Sequence, residues 1–118
     1  MCLALFFVNL SKEGSSVKEV ILSSDGEASL YLVPDPVADR LEDYCLEFAQ
    51  RWLWQSPDAK PYHRRINGMD CVCYTEADFV AWLDRYCFPE QPSRRLRGLG
   101  CPFDELPEEY RSHPQYNF

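Results

Sequence analysis

The sequence predicts an α+β domain: a mainly antiparallel sheet of about four strands with two helices packed on one face, in the chain order β-β-β-α-β-α. Three observations predict it. Short apolar runs separated by turn residues fill the first third, an apolar stripe at helical spacing runs from Val37 to Trp52, and a second strand–helix unit spans Ile66 to Pro89. With 118 residues the chain is one domain in size, residues 1–118, long enough to bury about two-thirds of its unfolded surface without metal or disulfide staples.

Cys2 to Asn9 reads as a buried first strand, ended by Gly14 and its neighbouring serines. The same stretch has no basic leading segment and no small-residue cleavage site, so it does not read as a signal peptide, and the expected location is the cytoplasm. Val17 to Ser23 and Leu30 to Val33 are the next two strands, joined by Asp25-Gly26, a dipeptide typical of tight hairpins. Pro34-Asp35-Pro36 then starts a long helix, with Asp35 as N-cap and Pro36 at the first helical position, where a missing N–H costs nothing. Its stripe is Val37, Leu41, Tyr44, Cys45, Phe48 and Trp52; the opposite face carries Asp39, Arg40, Glu42, Asp43, Glu47 and Arg51. Ser56 to Pro61 closes it.

Asn67-Gly68 signals a turn into a fourth strand, Met69 to Tyr74, in which Met69, Cys71 and Cys73 face one way and Asp70, Val72 and Tyr74 the other. Thr75 caps the second helix, and Tyr74 and Phe79 occupy the positions of a hydrophobic staple. Phe79, Trp82, Leu83, Tyr86 and Cys87 form its apolar face, and Pro89 ends it by about Phe88. Glu90 to Pro102 reads as a loop in which three arginines cluster, Asp104 to Ser112 as a short terminal helix, and His113 to Phe118 as an extended tail. Trp54, Tyr62, Tyr110, Tyr116 and Phe118 have no clear place on a predicted core stripe.

Six cysteines without an export signal point to reduced thiols, and the alternation places Cys71, Cys73 and Cys87 on core faces as small hydrophobes. Two chemical readings compete with that. A zinc site from Cys71, Cys73, Cys87 and Cys101, with His63 or His113, lacks the usual paired spacing, because same-face thiols on a regular strand stand about 7 Å apart. A nucleophilic Cys73 ahead of a helix N-terminus would need His63 as base. No glycine-rich phosphate loop, serine nucleophile elbow or histidine-rich metal motif is present, and no motif calls for a cofactor.

The formal charge of -7 counts against direct nucleic-acid binding, which needs a basic face, and no apolar run is long enough to span a membrane. The expectation is a protein–protein interaction module that meets a basic surface on another protein. In its most concrete version it inhibits a nucleic-acid-handling or host-defence complex, as mobile-element proteins do, by mimicking a phosphate backbone with acidic surface. The expected contact residues are Arg64, Arg65, Arg94, Arg95 and Arg97, the carboxylates Asp39, Glu42, Asp43 and Glu47, and Tyr110. The alternative is a cysteine-dependent enzyme or a zinc-binding regulator.

Overall fold

The computed structural model describes residues 16–118; the strand expected at Cys2 to Asn9 lies outside them. Strand β1 (Val17–Ser24) turns through Asp25-Gly26 into β2 (Glu27–Pro34), paired antiparallel from Val17↔Pro34 to Ser24↔Glu27. Asp25 and Gly26 take φ of 57° and 85°. Two successive positive φ angles match the twist of paired strands, and aspartate and glycine reach that conformation at little cost. Both faces of this pair are buried. Val20, Leu22, Tyr31 and Val33 face the helices, while Ile21, Ala28 and Leu30 face a second apolar cluster with Leu106 and Tyr110. A strand covered on both sides reads as a continuous apolar run, which is what the sequence shows.

The helical segment begins one residue earlier than expected, with Pro34 in extended conformation as N-cap and Asp35 already inside α1 (Asp35–Asp39). Proline's fixed φ suits that boundary. Arg40, at φ -132° and ψ 45°, interrupts the helix before α2 (Leu41–Leu46). The turns then widen to π-helical geometry over Glu47–Trp52 and close in a last α turn, Leu53–Gln55. Helix α3 (Glu76–Trp82) does the same, widening over Leu83–Cys87. The two widened stretches meet through aromatic rings: Trp52 lies 6.5 Å from Trp82 and 5.4 Å from Tyr86 between ring centres.

Phe48, fully buried, is the hub of this layer. Its ring centre lies 5.5–5.9 Å from those of Trp52, Tyr74, Phe79 and Trp82, and 6.4 Å from that of Phe118. The mainly tilted and edge-on arrangements are those that ring quadrupoles favour. Tyr74 and Phe79, the expected staple pair, both contact Phe48 and Phe118, so the start of α3 is fastened through shared partners.

Three expectations need correction. The strand from Met69 does not enter the main sheet; β4 (Met69–Val72) pairs with β3 (His63–Ile66) as a separate two-stranded hairpin. The main sheet takes its outer strands instead from the expected arginine loop, as β5 (Arg94–Gly98), and from the tail, as β6 (Gln115–Asn117), in the order β5-β2-β1-β6. An edge strand tolerates charged residues, and Leu96 still packs against the second cluster. Strand β6 runs parallel to β1, anchored by Ile21 N–H to the Pro114 carbonyl at 2.9 Å and by Phe118 N–H to the Ser23 carbonyl at 2.8 Å. Finally, the terminal helix is two single 3-10 turns, Phe103–Glu105 and Glu108–Tyr110. Pro107 separates them, because it lacks an N–H and disfavours helical backbone at Leu106.

Candidate interaction surfaces

The hairpin is built on Asn67-Gly68, both at positive φ (52° and 78°), with the register His63↔Val72, Arg64↔Cys71, Arg65↔Asp70 and Ile66↔Met69. Directly paired residues share a face. One face is His63, Val72, Arg65 and Asp70. Val72 packs against the core, His63 donates Nε2–H to the Leu53 carbonyl at 2.6 Å, and Arg65 pairs with Asp70 at 3.3 Å. The other face is Arg64, Cys71, Ile66 and Met69. It looks to solvent, with Ile66 50% and Met69 68% exposed.

The predicted alternation is therefore right and its direction reversed. Val72 and Tyr74 turn inward, where Tyr74 meets Phe48 and Phe118, while Met69 and Cys73 are exposed and Cys71 half-buried. The ring and the branched side chain fill the space beside Phe48, which a thiol would leave partly empty. Parity along a strand is legible in sequence; which face meets the core depends on the neighbouring layer. The signal for this open face was present in the basic pair Arg64-Arg65, which marks the hairpin as a surface element.

The arginines stand on two different sheets. Arg64 donates to the Pro61 and His63 carbonyls at 2.8 and 2.9 Å, folding back on its own strand. On β5, Arg94, Arg95 and Arg97 are all exposed, yet Arg95 reaches Ser29 Oγ at 3.4 Å and Arg97 hydrogen-bonds the Tyr110 hydroxyl. A register shift at Leu30/Tyr31 sends these two arginines to opposite faces of the sheet. Tyr110, expected on the outside, is only 8% exposed and belongs to the second apolar cluster beneath Arg97. Its side chain anchors the C-terminal turns.

The carboxylates of the first helical segment are largely paired. Asp39 meets Lys18 at 2.7 Å, Asp43 meets Arg40 at 3.1 Å and Glu47 meets Arg51 at 3.6 Å. Such exposed pairs are weak, about 0–1 kcal/mol each, but they break up the negative surface. Glu42 is exposed among them. A denser acidic surface lies elsewhere: Asp104, Glu105, Glu108 and Glu109 are all exposed on the two C-terminal turns, which buried Leu106 and Tyr110 pin to the sheet.

The cysteines divide by environment. Burial pushes the Cys45 thiol far up, and burial with the Glu47 charge pushes Cys87 up to about 12, so both stay protonated packing groups. Cys73 is different. It is exposed at the end of the hairpin's open face and lines a cleft of about 540 Å³ with Ser24, Asp25, Val72, Tyr74, Thr75, Asp78 and Phe118. Thr75 N–H donates to the Asp78 carboxylate at 2.9 Å, closing the capping box of α3. His63 is no partner for this thiol: Cys73 N–H pairs with the Tyr62 carbonyl, so the ladder continues and strand alternation puts Cys73 on the opposite face from His63. Among the described residues, no three of histidine, cysteine, aspartate and glutamate converge on a metal position, and no helix is long and apolar enough to cross a membrane.

No family model, curated protein or solved structure matches this chain. The reading of function therefore rests on the surfaces themselves.

Proposed function

We propose that the chain is a protein–protein interaction module that docks through the open face of the β3–β4 hairpin. The observation that carries this is the exposure of Ile66 and Met69 side by side, next to Cys71 and Arg64, on a hairpin whose other face is fastened to the core. Adjacent exposed apolar side chains on a folded surface mark binding sites, and methionine's flexible thioether adapts to varied partners. Arg64 and Arg65 lie at the margin, where charge sets orientation and association rate more than affinity.

A second surface supports the inhibitor version of this reading. Four exposed carboxylates on the rigidly seated turns from Phe103 to Tyr110 suit a basic partner surface, such as the phosphate-binding groove of a nucleic-acid-handling or host-defence protein. The first helical segment, whose acids Asp39, Asp43 and Glu47 are paired, contributes Glu42 to such a contact.

A photocrosslinking amino acid at position 69, compared with one at exposed Glu90, tests the module reading in cells of the source. The expected result is one discrete adduct at position 69 that Ile66→Asp removes. Equal, diffuse labelling at both positions would contradict it.

A further inference from the structure

The outer strands of both sheets present main-chain groups along one edge, and such an edge pairs with another chain unless something guards it. Among the described residues, three of the four outer strands are guarded. Strand β5 carries three exposed arginines and a register shift against β2, and β6 is only three residues long. On β3 the Arg64 guanidinium takes the His63 carbonyl at 2.9 Å.

Strand β4 has none of these devices. Its register against β3 is unbroken from His63↔Val72 to Ile66↔Met69, it holds no proline or basic residue, and its one charge, Asp70, is paired with Arg65. The phase of the ladder follows from Cys73, whose N–H donates to the Tyr62 carbonyl at 2.9 Å. Hydrogen-bonded pairs alternate along an antiparallel ladder, so Arg64/Cys71 and Ile66/Met69 are bonded, while the N–H and C=O groups of Asp70 and Val72 point off the outer edge. No hydrogen bond among the described residues takes up these groups.

This edge is complementary to itself. Two β4 strands laid antiparallel about Cys71 exchange hydrogen bonds between Asp70 of one copy and Val72 of the other, twice, through a twofold axis. Each Met69 then faces Cys73 of the second copy, and the two Cys71 side chains face each other on the open side of both hairpins. Asp70 meets Val72 and not its own counterpart. The charges from Tyr62 to Cys73 are Arg64, Arg65 and Asp70, so the hairpin lacks the chain's negative excess, and salt screens the remaining repulsion between two chains of formal charge -7.

We infer that the outer edge of β4 is a self-association site, through which two copies of this chain form a four-stranded sheet, β3-β4-β4-β3, with both open faces on one side. A four-residue edge buries far less than the roughly 800 Å² per partner of a stable interface, so the dimer is weak. Across a non-hydrogen-bonded pair the Cα atoms stand about 4.5 Å apart, within the span of a disulfide, so hydrogen peroxide makes the dimer covalent. The two Cys71 thiols give up two hydrogens and two electrons as the S–S bond forms, and the peroxide is reduced to two waters. Cys73, although more exposed, sits opposite Met69 and out of reach of its counterpart. None of this rests on the docking of a foreign partner.

Sedimentation equilibrium of the reduced full chain up to about 1 mM is the first test. The expected result is a monomer–dimer equilibrium with a dissociation constant on the order of 0.1–1 mM that tightens with added sodium chloride. Asp70→Pro removes one outward N–H, leaves the β3–β4 ladder whole and should weaken association about tenfold or more. Cys71→Lys sets two ammonium groups opposite each other, should have the same effect, and serves where the proline variant does not fold. With hydrogen peroxide, crosslinked dimer should form in Cys73→Ser as in the unaltered chain and vanish in Cys71→Ser. A monomer throughout, association indifferent to both edge variants, or a crosslink that needs Cys73 and not Cys71 would overturn the inference. So would Asp70 and Val72 amides equally protected from hydrogen exchange at low and high concentration, which would put another segment on the edge.

Discussion

The layer around Phe48 and the β3–β4 hairpin draw on the same kinds of residue and use them oppositely. Around Phe48, Trp52, Tyr74, Phe79, Trp82 and Phe118 all spend their apolar surface on one another. In the hairpin, Ile66 and Met69 leave half or more of theirs to solvent, although they lie only a few residues from Tyr74. A two-stranded hairpin is marginal alone and holds here because Val72 and His63 fasten one face to the helices. Packing and exposure fall on opposite faces of adjacent residues, so substitutions should separate stability from the proposed docking.

Breaking the aromatic layer should have the largest effect. Phe48→Ala removes a fully buried ring with five aromatic neighbours and should cost about 3–5 kcal/mol, read from urea unfolding followed by tryptophan fluorescence. A loss below ~1 kcal/mol would mean the layer repacks freely and the contrast with the hairpin is overstated.

Alkaline pH presses on the same layer more gradually. Burial raises the Tyr44 hydroxyl to about 12, and burial with the Glu76 charge raises Tyr31 to about 12, from 10.0; Cys87 moves to about 12 from 9.0. These acids are held neutral in the folded chain while the unfolded chain releases their protons from about pH 9 upward. Stability is therefore full below pH 9 and declines as pH rises toward 12. A urea midpoint unchanged between pH 8 and pH 11 would contradict that assignment.

Smaller still is the cap of α3. Asp78→Ala leaves the Thr75 N–H without its carboxylate and should cost about 1 kcal/mol, measured as a shift in the urea midpoint. Smallest on stability, and most informative, is Met69→Asp. With a side chain already 68% exposed, it should change stability by no more than about 0.5 kcal/mol while abolishing the adduct formed by a photocrosslinking residue placed at position 66. A large stability loss would place Met69 in the packing rather than on the surface.

The sequence carried the fold where local chemistry determines it. Asp25-Gly26 and Asn67-Gly68 dictate their turns, and the runs at Val17 to Ser23 and Leu30 to Val33 sit inside β1 and β2. It failed where the outcome depends on a distant layer. The arginines of β5 disguise an edge strand that exists because β2 offers it a partner, and β6 forms because Ser23 and Ile21 receive the tail. The widened turns after α2 and α3 carry Trp52 and Tyr86, whose rings meet between the helices, a contact that no single helix encodes. At the candidate site, the period of Met69 to Tyr74 was readable, but its direction turned on Phe48 and Phe118, far away in the chain. Tyr110 illustrates the same limit: nothing nearby in sequence reveals that Arg97 covers it.

The direction of that strand is the central claim, and brief alkylation of the native protein by iodoacetamide, with peptide mapping of each cysteine, tests it most directly. Cys73 is expected to be modified first, with Cys45 and Cys87 reacting only on unfolding. Protection of Cys73 to the level of Cys45 would mean that the Met69, Cys71 and Cys73 face is packed inside, and the proposed docking surface would fall with it.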